Sequence, residues 1–78
     1  MRKKELRLVI TFHTTAAAMA VESLCMRQGL SGKLISVPRS LTSDCGIAWS
    51  APVELRETLE SVLMQSGIEI AGFHELKV

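Results

Sequence analysis

The stretch ELRLVITFHTTAAAMAVESLCMRQG, residues 5–29, changes its period halfway along. From Glu5 to Phe12, Leu6, Leu8, Ile10 and Phe12 alternate with Arg7, Val9 and Thr11, the period of two expected of a strand with one buried face. His13-Thr14-Thr15 then supplies hydroxyls able to accept from the orphan amides at a helix start. Ala17, Ala20, Val21, Leu24 and Gln28 recur at helical spacing until Gly29 stops the run. The chain therefore opens strand, cap, helix.

Outward from this stretch, Lys33 to Pro38 reads as a second strand, and Gly46 to Ser50, with Ile47 and Trp49 on one side, as a third. Pro52 suits the first turn of a second helix, and Glu54 favours its positive end. Leu55, Leu59, Val62 and Leu63 form the inner stripe of that helix before Ser66-Gly67. Ile68 to Leu76 reads as a last strand, interrupted at Gly72. The order β-α-β-β-α-β predicts a ferredoxin-like α+β sandwich, with two helices covering one face of a four-stranded antiparallel sheet. In that topology the loop after the second strand lies at the same end as the start of the first helix. His13, Thr14 and Thr15 are thus predicted to neighbour the loop Pro38-Arg39-Ser40-Leu41-Thr42-Ser43-Asp44-Cys45-Gly46.

Length and composition narrow the function classes. A chain of 78 residues is read as one domain, residues 1–78, because at this size only roughly 60% of the unfolded surface is buried and two cores cannot be supported. With 47% apolar residues, a packed core is attainable without metal or disulfide staples. The net charge of +1 exerts no general pull on nucleic acid, and Met1-Arg2-Lys3-Lys4 is too short a basic tract to change that. No apolar run approaches the ~20 residues of a membrane span or resembles a signal peptide, so the location read is cytoplasmic. Cys25 and Cys45 lack CxxC spacing, and with two histidines they are poor material for a metal site. Two thiols in a reducing compartment is the expectation.

Cys45 is the residue with most chemistry to offer. It lies in a polar loop between two apolar strands, flanked by Arg39, by hydroxyls including Ser43, and by Gly46, whose missing side chain lets another group approach the backbone. The thiolate is the nucleophilic form of a cysteine, and a cation or a helix start favours it, so Arg39 and the first helix are expected to activate Cys45. Ser43 can donate to a bound anion, and the start of the helix at Thr14 and Thr15 favours anions in the same place. Cys25, one position after Leu24 at the edge of the helix's apolar stripe, is assigned to packing. His13, at a strand end, reads as an ordinary loop residue whose claim to proton carrying rests on proximity to Cys45, and His74 is a weaker candidate still; Met19 and Met26 read as scattered exposed apolar side chains, and Trp49 as core or open-sheet surface. Glu22, Glu54, Glu57 and Glu60 read as solvated helix charges.

Pro38-Arg39, Ser43, Cys45-Gly46 and Ala48 resemble the P-R-x-x-x-S-x-C-G-x-A signature of the selenium/sulfur carrier-like family of small bacterial proteins. A second block, Thr11-Phe12, Thr14-Thr15, Ala18 and Glu22, is similar to that family's strand ending in Phe, its hydroxyl pair and its Ala- and Glu-bearing helix. The resemblance spans most of the chain. It departs from the family pattern at His13, where a Pro or other small residue often stands, and in carrying Cys25. What it implies is a cysteine, here Cys45, that carries sulfur or selenium as a persulfide or selenopersulfide between a donor and an acceptor protein, without a cofactor. Such a carrier needs a presented sulfur and hydrogen-bond donors for the terminal anion, and its partners supply the rest.

Three other classes compete with this reading. A regulatory or structural module binding an anion or a protein, with the open sheet face mediating a homodimer, would leave Cys45 incidental, and fold alone does not separate the two. Acylphosphatase-like hydrolysis is disfavoured because the sequence contains no asparagine to position water. RNA binding is disfavoured because the strands offer only Phe12, Trp49 and Phe73 as stacking surfaces, with no basic-aromatic signature.

Overall fold

A computed structural model describes residues 5–41 and 44–78; Met1-Arg2-Lys3-Lys4, Thr42 and Ser43 lie outside the described residues. Four strands, β1 (Leu6–Thr11), β2 (Lys33–Ser36), β3 (Ile47–Pro52) and β4 (Gly72–Lys77), form one sheet in the order β2-β3-β1-β4 with every neighbouring pair antiparallel. Helix α1 (Thr15–Gln28) connects β1 to β2, and α2 (Arg56–Ser66) connects β3 to β4. This is the ferredoxin-like arrangement that the element order predicts.

The register sets the core. Trp49 stands opposite Leu34 on one side and Ile10 on the other, and Ile10 stands opposite Phe73, so one row of large side chains crosses all four strands. Leu8, Phe12 and Ala51 point to the same face and join Ala18, Val21 and Cys25 of α1 with Leu59 and Leu63 of α2 in a single buried cluster. Both helices therefore cover one face of the sheet.

The opposite face is more shielded than a simple alternation implies. Val9, Thr11, Ala48 and Ser50 lie on it and are buried as well. They occupy the two central strands, flanked by the larger Arg7, His74, Leu76 and Ile35 on neighbouring positions. The Arg7 side chain lies over Ser50: its Nε donates to Ser50 Oγ at 3.0 Å and its Nη2 to the Ser50 carbonyl at 3.4 Å. Thr11 Oγ1 donates to the Gly72 carbonyl at 3.5 Å. These bonds satisfy the two buried hydroxyls of that face, as burial of polar groups requires.

Several sequence-based boundaries shift. The inner face of α1 centres on Ala18, Val21 and Cys25, while Gln28 is exposed and Ala20 only half-buried. Pro52 ends β3 instead of opening a helix, and a 3₁₀ turn, Val53–Leu55, precedes α2. The last strand begins only at Gly72; Ile68 and Ile70 pack against the core from the preceding loop. Trp49 belongs to the core, and Met19 and Met26 are exposed, as the sequence reading placed the methionines.

Two details bear on how well the fold tolerates change. Thr14 caps α1, its Oγ1 accepting from the Ala17 amide at 3.1 Å, and an N-cap hydroxyl typically contributes about 1 kcal/mol. Gly32, at φ 157°, lies so close to the Trp49 ring that a Cβ there would stand 2.5 Å from Cε2 and Cζ2. A buried indole has no flexible end to give way. Gly32→Ala is therefore expected to lower the unfolding free energy by about 2 kcal/mol or more, through overpacking and the unfavourable φ together. Thr14→Ala is expected to cost about 1 kcal/mol, with Thr14→Ser restoring most of it. Urea denaturation of the three variants checks both, and a Gly32→Ala midpoint equal to that of the parent would contradict the close approach.

Candidate functional site

Strand direction decides which loops meet. β1 ends where α1 starts, β2 ends where the loop to β3 starts, and antiparallel pairing of Thr11 with both Ala48 and Gly72 puts the beginnings of β3 and β4 at that same end. The turn after β1, the segment before β3 and the loop before β4 consequently share one edge of the sandwich. Ala71 extends the arrangement, its amide donating to the Thr11 carbonyl at 2.9 Å.

Cys45 sits two residues before β3. It is half-buried, in contact with the core cluster, and its Sγ donates to the Ile47 carbonyl at 3.3 Å. Gly46, next to it, has φ 74°, a conformation that glycine adopts without the steric cost a side chain would bring. Among the described residues, a Cβ at that position would meet nothing within 4 Å. The Gly46 carbonyl accepts from the Val37 amide at 3.1 Å, which closes the base of the loop. Pro38 to Leu41 forms a turn through a 3.0 Å bond from the Leu41 amide to the Pro38 carbonyl, and Arg39 is exposed within it. Ser43 lies outside the described residues.

The neighbourhood expected of His13 is present. His13 Nδ1 lies 2.9 Å from Oδ2 of Asp44, the residue immediately before Cys45. The hydrogen bond to Asp44, reinforced by the negative charge of Glu69 from the loop before β4, raises the pKa of His13 above the ordinary imidazole value. Thr14 and Thr15 follow directly, both exposed, Thr14 as the helix cap and Thr15 as the first helical residue. The structure thus brings His13, Thr14 and the Cys45 segment to one edge. Sequence reasoning missed Asp44, although its position beside Cys45 and the topology that brings His13 there were the signals available.

The two thiols differ in kind. Cys25 is fully buried on the inner face of α1, and burial pushes its pKa up, so it stays protonated and inaccessible. Cys45 is half-buried, next to the exposed Gly46. His74 lies on the open sheet face opposite Val9, its Nε2 close to the backbone of Gly72. Among the described residues, no group of three or more His, Cys, Asp or Glu side chains is placed to hold a metal ion, and no helix is long and apolar enough to cross a membrane.

No curated protein and no solved structure matches the chain. The family model described as "Putative Se/S carrier protein-like" matches residues 7–75, a span that takes in the turn after β1, the Cys45 segment and the loop before β4; the chain belongs to this family.

Proposed function

We propose that the protein carries sulfur or selenium on Cys45, as a persulfide or selenopersulfide, between a donor and an acceptor protein in the cytoplasm, and acts as a carrier and not as a stand-alone enzyme. The observation that carries this reading is the contrast between the two thiols: Cys25 is sealed in the core with its pKa raised, while Cys45 stands at the mouth of β3, only half-buried and next to the exposed Gly46. Membership of the family supplies the cargo class.

Loading needs no outside oxidant. The Cys45 thiolate attacks the terminal sulfur of a donor persulfide; the new Cys45 S–S bond forms as the donor's own S–S bond breaks, and the electron pair leaves on the donor thiolate, which takes up a proton. A terminal selenium is passed in the same way. Unloading is the same exchange with an acceptor thiolate attacking the terminal atom and Cys45 departing as thiolate. A loaded sulfur has no proton to give, so the bond from Cys45 Sγ to the Ile47 carbonyl is surrendered on loading. The terminal anion would then be held by Arg39, by Ser43, by amides at Gly46, and by the helix start at Thr14 and Thr15.

Incubating the protein with a cysteine desulfurase and cysteine, or a selenocysteine lyase and selenocysteine, should add one sulfur or selenium atom, located by mass spectrometry of the peptide containing Cys45. Cys25 should stay unlabelled until the protein is unfolded. Equal labelling of a Cys45→Ser variant would remove the proposal.

A further inference from the structure

The hydrogen bond between His13 and Asp44 joins the turn that ends β1 to the segment that carries Cys45. It does not close the sheet, cap the helix or fill the core: both side chains are largely exposed, 48% and 73%. What it does is anchor the backbone one residue before Cys45 to the turn that ends β1. On the other side, the Cys45 thiol is bonded to the Ile47 carbonyl and the Gly46 carbonyl to the Val37 amide. The half-buried sulfur is therefore held from both directions. We infer that His13 and Asp44 form a latch, a pair of positioning residues that keeps the Cys45 segment drawn in and lets the sulfur swing outward when the latch opens. The inference deepens the carrier reading and takes its purpose from it, since a sulfur that must meet two partners in turn has to be both held and released.

The groups facing His13 give the latch its direction with pH. Asp44 comes from the Cys45 segment and Glu69 from the loop before β4, both negative; the start of α1 at Thr14 opposes them with its partial positive charge. The bond is charge-assisted while the imidazole is protonated and Asp44 ionised, which on ordinary values begins at about pH 4. Because the folded pKa of His13 lies above that of the unfolded chain, about 6.5, the pair's full contribution is present below that value and is lost as pH rises through the higher folded pKa. The latch is closed in mild acid and loosens as pH rises through the folded pKa of His13.

The test is the rate at which iodoacetamide, an uncharged reagent, alkylates Cys45 between about pH 5 and pH 9, divided by the thiolate fraction measured separately for each protein by its ultraviolet absorbance. The His13 titration is located independently from its imidazole NMR signals. In the parent protein the normalised rate should rise about threefold through that titration, the scale set by an exposed ion pair. His13→Ala and Asp44→Asn, two exposed changes whose folding is checked by circular dichroism, should each be flat with pH at the higher rate. A parent rate that is flat and equal to both variants would overturn the latch. Alkylation needs no donor protein, so failure of sulfur loading leaves this result standing, and a flat profile with successful loading removes the latch alone.

Discussion

The placement of Trp49 is the constraint on which the rest of the structure depends. Its ring anchors the row Leu34–Trp49–Ile10–Phe73, and that row fixes the register of β3 against both β2 and β1. A strand that slipped by one residue would turn Trp49 to the open face and Ser50 into the core. The indole N–H finds no partner among the described residues, and an unpaired buried donor costs about 1–3 kcal/mol. Burying some 150–250 Å² of aromatic surface at about 25 cal/mol per Å² contributes roughly 4–6 kcal/mol, so the ring prevails over its nitrogen. The same register delivers Cys45, four residues earlier, to the height of His13.

Much of this fold was legible because the amphipathic signals were local. The alternation in β1, the hydroxyl before α1 and the glycine after it each name a boundary, and the structure has all three. The rotation of α1 was harder to read for a physical reason. Ala16, Ala17, Ala18 and Ala20 are nearly equivalent in size and polarity, so the sequence hardly distinguishes one facing from the next, and contact with the sheet settles on Ala18, Val21 and Cys25. The sequence pattern predicts a longer last strand than the structure contains, because Ile68 and Ile70 alternate as strand residues do. They satisfy that pattern by packing from a loop, and the ladder stops where β1 stops, with Thr11 opposite Gly72.

The site was legible to the extent that topology alone determined it. Directions of strands and helices suffice to place the end of β1, the start of α1 and the Cys45 segment at one edge. The bond between His13 and Asp44 is a different kind of fact, since it depends on how two irregular turns orient their side chains, and no periodicity encodes that. The division between the thiols was half legible. Cys25 was expected to pack, but the sequence placed it at the stripe's edge, and only the rotation of α1 makes it fully buried with its pKa raised.

The energetic inequality between core and edge bears directly on the proposed use of Cys45. The row through Trp49 cannot be disturbed without unravelling the register of three strands, so the position of β3 and of the residue entering it is rigid. The contacts of the Cys45 segment at this edge are of another order, and include an exposed imidazole–carboxylate pair and a thiol-to-carbonyl bond. Exposed ion pairs contribute little to global stability, which means that breaking one costs the fold almost nothing. Opening at the Cys45 segment is then a local event of the low-stability end of the molecule, while the core row remains intact beneath it. A half-buried sulfur beside a rigid strand, with its segment tied at the edge by an exposed pair, would under the proposed latch leave its resting contact and return to the same place.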